Sequence, residues 1–112
     1  MPKRVLILTD TMGRGDAALG RILMRNFLYA MARCEDRPSA VTFMNEGVRL
    51  ACEGSEVLDD LRLLEESGVG IRVCGTCLDH LGLKESLAVG QVGTMVDSVA
   101  ALMGHESVVT IA

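Results

Sequence analysis

Cys74-Gly75-Thr76-Cys77 sets two thiols at a spacing at which they can meet. The motif falls where an apolar strand pattern, Ile71-Arg72-Val73-Cys74, gives way to a short helix. A thiol at such a junction sees unpaired amide donors and the positive end of the helix dipole, which favour the thiolate and with it nucleophilicity. Thr76 is expected to cap that helix, with Asp79 three residues on completing a capping-box spacing and Cys77 left in the first turn. The competing reading is a pair of small residues packed in the interior, which free cysteine does readily.

Three chemistries fit the motif. Dithiol exchange of the thioredoxin kind suits the spacing, but that fold sets a cis-proline against its site, and Pro2 and Pro38 are not placed for this. Zinc would take Cys74, Cys77 and His80 as C-x2-C-x2-H and would need a fourth ligand, which Cys34, Cys52 and His105 supply no spacing for. No metal and no cofactor is therefore expected. The third is covalent carriage of sulfur as a persulfide, and the pattern alone does not rank it above the others.

Residues elsewhere weigh less. Asn45 and Glu46 leave the second strand at the same edge and are expected either to hydrogen-bond at the site or to serve as a helix cap and a solvated charge. His80, one helical turn past Cys77, reads as a base or thiolate stabiliser, or as a surface histidine. Gly13-Arg14-Gly15-Asp16, with Gly20 beyond, sits where a phosphate loop would, but matches no dinucleotide or P-loop spacing. Cys34 and Cys52 read as packing residues, and Met24, Leu28 and Met31 as core or as subunit interface.

The elements that position the thiols follow from hydrophobic periodicity. Val5-Leu6-Ile7-Leu8 reads as a strand buried on both faces. A long helix runs to Arg33, capped by Asp16, with Leu23, Phe27, Ala30 and Met31 as its apolar stripe, widened by Met24 and Leu28. Ala40 to Met44 is the second strand, followed by a turn of helix from Val48 to Cys52. Ser55 is read as the cap of a helix carrying Val57, Leu58, Leu61 and Leu64 and stopped by Gly68. Ile71 to Cys74 is the third strand, Ala88-Val89 begins a fourth, Thr94 caps a last helix, and Val108 to Ile111 is the fifth. Strands alternating with helices predict an α/β domain with a five-stranded, mostly parallel sheet, helices on both faces and the ligand chemistry gathered at the carboxyl ends of the strands.

A chain of 112 residues fits a single domain over 1–112, and at 49% hydrophobic with a net charge of −4 it can fold. Fifteen acidic against eleven basic residues, with no basic run, leave no electrostatic footprint for nucleic acid. The apolar stretch after Lys3-Arg4 is too short for export or for spanning a membrane, so no membrane association is expected and the four cysteines read as thiols in a reducing cytoplasm.

The order of Leu19-Gly20-Arg21-Ile22-Leu23-Met24, Phe43-Met44-Asn45-Glu46-Gly47-Val48, Val73-Cys74-Gly75-Thr76-Cys77-Leu78-Asp79 and Gly82-Leu83 resembles the DsrE/DsrF-like sulfur-relay family over nearly the whole chain. Within it, the segments are similar to the C-terminal domains of YedF-type selenium-metabolism proteins and to YchN-like members, which share CGTC. The resemblance implies a flavodoxin-like three-layer α/β/α domain in the cytoplasm, assembled as homo-trimers or hexamers. It implies a sulfur or selenium relay in which a cysteine matching Cys74 carries the persulfide and Cys77 resolves or shares it, in the manner of a sulfurtransferase, with Gly75, Thr76, Asn45 and His80 around it. YedF proteins carry a TusA-like domain before this one, so the implied donor or acceptor is such a domain on another chain. A module of the same family that binds a ligand or partner without covalent chemistry is the alternative.

Overall fold

The computed structural model describes residues 2–112. Five strands, β1 (Lys3–Ile7), β2 (Ala40–Phe43), β3 (Gly70–Cys74), β4 (Gln91–Gly93) and β5 (Ser107–Ile111), form one sheet in the order β4-β3-β2-β1-β5. Every pairing is parallel, with Val5 beside Val41 and Val109, Val41 beside Ile71, and Cys74 beside Gly93. Three steps from β1 to β4 move one way across the sheet, and the last crossover returns to the far side of β1. Right-handed connections therefore put the first three crossovers on one face and the last on the other. This is an α/β fold with layers on both faces of the sheet.

The two faces are unequally covered. Val5, Ile7, Val41, Phe43, Ile71 and Val73 alternate onto one face and are buried there with Met24, Leu28 and Met31 of α1 (Ala17–Arg33) and Leu61 and Leu64 of α2 (Leu58–Glu66). The other face carries α4 (Met95–Leu102) alone, and α4 buries none of its residues. The stripe of α1 is rotated from the expected one: Leu23 is 42% exposed and Ala30 is on the outside, while Met24 and Leu28 face the sheet. The helix pivots about Gly20, where an added Cβ would lie 2.9 Å from the Met12 carbonyl oxygen, so the loop after β1 crosses α1 at van der Waals contact.

Local chemistry sets the ends. Asp16 caps α1, its side chain accepting from the Leu19 N–H at 3.1 Å, and Thr94 caps α4 through the Asp97 N–H at 3.1 Å. Gly68 ends α2 at φ +95°, with the Val69 N–H bonded to the Leu64 carbonyl and the Gly68 N–H to that of Glu65. Ser55 is not the cap of α2: its hydroxyl accepts from the Val57 N–H, and Val57 is the residue before the helix. The helical turn after β2 is a 3₁₀ helix, Asn45–Ala51, that starts directly at the strand end, three residues earlier than expected. The fourth strand begins at Gln91, not Ala88, because the Ala88 and Val89 N–H groups are both held by the Ala51 carbonyl. Gly90 then turns the chain at φ +88° into the sheet.

Candidate functional site

Cys74 is the last residue of β3 and is 9% exposed; Cys77 is the third residue of α3 (Gly75–His80) and is half-buried. The cap of α3 is Cys74 itself. Its Sγ accepts from the Cys77 N–H at 3.4 Å, so the capping role expected of Thr76 belongs to the first thiol of the motif, and Thr76 is exposed. The physical reason is that β3 ends at Cys74, which makes it the flanking residue whose side chain can reach back to the third amide ahead.

Cys77 receives a second contact from across the sheet edge: the Asn45 N–H donates to its Sγ at 3.1 Å. The donor is the backbone, while the Asn45 side chain accepts from the Glu46 N–H at 2.9 Å. Asn45 holds φ +52°, the one non-glycine residue in the left-handed region among the described residues. The turn it begins is pressed onto the end of β1. Met44 donates to the Ile7 carbonyl at 2.9 Å, Gly47 donates to the Met44 carbonyl at 3.0 Å, and a Cβ at Gly47 would lie 2.5 Å from the Ile7 oxygen. Asn45 and Cys77 thus meet because β1, β2 and β3 end together and two short helical segments start there.

Burial pushes the Cys77 thiol above its ordinary value, the hydrogen bond with Cys74 adds to the rise, and the Asn45 amide opposes it. Burial and the neighbouring Cys74 therefore both favour the protonated form of Cys77. The Cys74 Sγ accepts the Cys77 N–H, a contact that is worth more to a charged sulfur than to a neutral one.

The remaining expected residues separate. Gly75 opens α3 under Val92, whose Cγ1 would lie 2.9 Å from an added Cβ. His80 is exposed on the last turn of α3 and makes no hydrogen bond to either cysteine among the described residues. Glu46 turns away to pair with Arg49 and holds the Arg49 proton more tightly. Cys52 is buried, donates to the Val48 carbonyl at 3.2 Å and is pushed up by its burial, while Cys34 is exposed at the end of α1. No cluster of three or more His, Cys, Asp or Glu side chains is placed to hold a metal ion among the described residues. No helix among them is long and apolar enough to cross a membrane.

Two features carry no plain mark in the sequence. One is the approach of Gly47 to Ile7, for which the glycine after Asn45-Glu46 is the sole local sign. The other is a cleft of about 340 Å³ beside the thiols' edge of the sheet, lined by Arg21, Arg25 and Arg49 against Asp10, Glu53 and Glu56. Those residues are scattered in sequence and are gathered by the ends of β1 and β2. Neither cysteine lines that cleft.

Residues 3–111 match the model of the DsrE/DsrF-like family. Among solved structures, the chain is similar to the ychN protein from E. coli, at 20% identity and a TM-score of 0.72, covering 98% of this chain and 99% of that one. It is also similar to MTH1491, a protein of unknown function from Methanobacterium thermoautotrophicum, at 22% identity and a TM-score of 0.68, covering 96% of this chain and 98% of that one. These likenesses concern the fold. No curated protein matches the chain.

Proposed function

This chain belongs to the DsrE/DsrF-like family, and from that premise we propose that it is a small cytoplasmic sulfur- or selenium-relay protein in which Cys74 carries a persulfide. The observation that carries the reading is the bond from the Cys77 N–H to the Cys74 Sγ, with the Cys77 thiol beside it as a second donor. The Cys74 thiolate attacks the outer sulfur of a donor persulfide, R–S–SH. The donor S–S bond breaks, R–S⁻ leaves, and Cys74–S–SH forms with no net oxidation. An acceptor thiolate then attacks the outer sulfur and Cys74 leaves as thiolate. Cys77 shares the cargo by making that attack itself, becoming Cys77–S–SH while Cys74 returns to thiolate. Alternatively it resolves it by attacking the inner sulfur, which closes a Cys74–Cys77 disulfide and expels HS⁻; a dithiol reductant then reopens the bond.

The donor and acceptor we assign are other relay proteins, a TusA-like domain on another chain among them. The position of the pair at the strand ends, with Cys77 half-buried and neither thiol lining the charged cleft, suits a protein partner better than an enclosed small molecule. We also assign the exposed apolar side of α4 to contacts between copies of this chain, as a homo-trimer or hexamer. Val96 and Met103 there are each 80% exposed, more than a lone folded copy commonly leaves uncovered in one stripe.

The test is intact mass and peptide mapping after exposure to a sulfane-sulfur donor. One sulfur added at Cys74, absent in Cys74→Ser and accumulating in Cys77→Ser, is the expected result. No adduct on any cysteine, with both thiols slow toward iodoacetamide, overturns the carrier. That outcome favours the second reading, a module of the same family that binds a ligand or partner without covalent chemistry. The 9% exposure of Cys74 is the observation on its side.

A further inference from the structure

We propose that Asn45 is a positioning residue whose left-handed backbone turns the Met44–Asn45 peptide so that its N–H holds a thiolate at Cys77, readying Cys77 as the second nucleophile once Cys74 is modified. The inference rests on the reading that this cysteine pair does covalent chemistry, but it concerns a different atom and a different step.

The geometry is over-determined around that peptide. Met44 is extended at φ −135° and ψ 163°, with its own N–H fixed on the Ile7 carbonyl. Asn45 follows at φ +52°, and the turn closes through the Gly47 N–H on the Met44 carbonyl at 3.0 Å. With Met44 held on β1 and the turn closed back onto Met44, a residue that avoids the left-handed region can relieve its strain by flipping the Met44–Asn45 peptide. The flip replaces the N–H facing Cys77 with the Met44 carbonyl oxygen, a donor with an acceptor, and repels a sulfur anion. Asparagine visits the left-handed region more readily than other side chains, and here its side-chain oxygen also bonds the next N–H, which stabilises the same conformation.

The charge sequence gives the amide its use. Burial and the hydrogen bond with Cys74 hold Cys77 in its protonated form while both thiols are free. Once the Cys74 Sγ is bonded to an added sulfur, that atom is no longer an ionisable thiol beside Cys77. The Asn45 N–H, at 3.1 Å, is then the contact that favours the Cys77 thiolate. In the sharing step described above, that thiolate attacks the outer sulfur. Facing Cys77 from the packed elements are Cys74 as the titratable neighbour, the Asn45 amide, and the amide of Cys77 itself.

The experiment uses the full chain with Cys74→Ser, so that Cys77 ionises alone, and reads the rate of iodoacetamide addition at Cys77 against pH by peptide mapping. No sulfur donor is involved, so this test stands or falls apart from sulfur loading. Asn45→Gly keeps the left-handed backbone and is expected to leave the Cys77 profile in place. Asn45→Ala and Asn45→Val disfavour that backbone increasingly. They are expected to move the profile to higher pH in that order, by about one unit for valine, which is about tenfold slower alkylation at neutral pH. Should valine prevent folding, the alanine variant against glycine carries the comparison. Equal profiles for glycine and alanine or valine overturn the proposal. A shift in the glycine variant as large as in valine overturns it also, because it assigns the effect to the side chain.

Discussion

Gly47→Ala tests whether the candidate site is built on the end of β1. Gly47 is not in the left-handed region, so alanine carries no backbone penalty there and the effect is steric. An ideal Cβ would stand 2.5 Å from the Ile7 carbonyl oxygen, 3.1 Å from its carbon and 3.3 Å from the Thr9 nitrogen. The first distance is about 1 Å short of van der Waals contact near ~3.5 Å, and every atom met is backbone, at the end of β1 or just past it. The 3₁₀ helix must therefore lift away from β1, which weakens the Met44 N–H bond to Ile7 and draws Asn45 from Cys77. Overpacking of this kind costs about 2–3 kcal/mol, a large part of a folding free energy of ~5–15 kcal/mol. With a urea slope of ~1.5 kcal/mol/M, the unfolding midpoint falls by ~1.3–2 M. Gly54→Ala is the control: at φ +90° with no atom within 4 Å, it pays a conformational cost alone, about 1 kcal/mol. The assay is urea unfolding followed by circular dichroism, with iodoacetamide reactivity of Cys77 read on the same samples. A Gly47→Ala loss below ~0.5 kcal/mol, within the range of an ordinary surface change, refutes the reasoning. So would a Gly47 loss no larger than that at Gly54.

Burial raises the Cys52 thiol, so the folded protein binds that proton more tightly than the unfolded chain. The stability this contributes is complete below the ordinary thiol range, near ~8.5, and is lost as pH rises through it. Urea midpoints are expected to drop between pH 7.5 and 9.5 in the unmodified chain and to drop less in Cys52→Ala; an identical drop in both removes Cys52 as the cause. If the apolar side of α4 joins copies, light scattering is expected to give a multiple of 12.0 kDa, reduced in the Val96→Asp, Val99→Asp double variant. A monomer at working concentration refutes that assignment.

Much of the architecture was legible in local chemistry. Asp16, Thr94 and Gly68 end their helices as their residue types dictate, since a cap needs only neighbours three residues away. The apolar runs at Val5, Val41 and Ile71 announced a sheet, and the thiol pair stood out at a strand end. The local rules failed where the placement of the sheet or a distant backbone competed. Thr76 lost the cap to Cys74, Ala88 and Val89 were claimed by the Ala51 carbonyl, and the stripe of α1 rotated to bring Met24 inward over Leu23. In each, a partner more than thirty residues away or the ordering of the sheet decided between two locally equal choices.

By itself, then, the sequence determined the elements, the parallel α/β class and the presence of a CGTC pair able to do thiol chemistry. It could not determine which sulfur caps the helix and which accepts from Asn45, nor that Asn45 meets Cys77 through its backbone and not its amide side chain. Those depend on β1, β2 and β3 ending at one level, so that Met44 meets Ile7 and Asn45 meets Cys77 across 37 and 32 positions of chain. Periodicity reports which face a residue shares with its neighbours. Hydrogen bonds between separate strand ends are set by the order of the strands and their register, which no local pattern encodes.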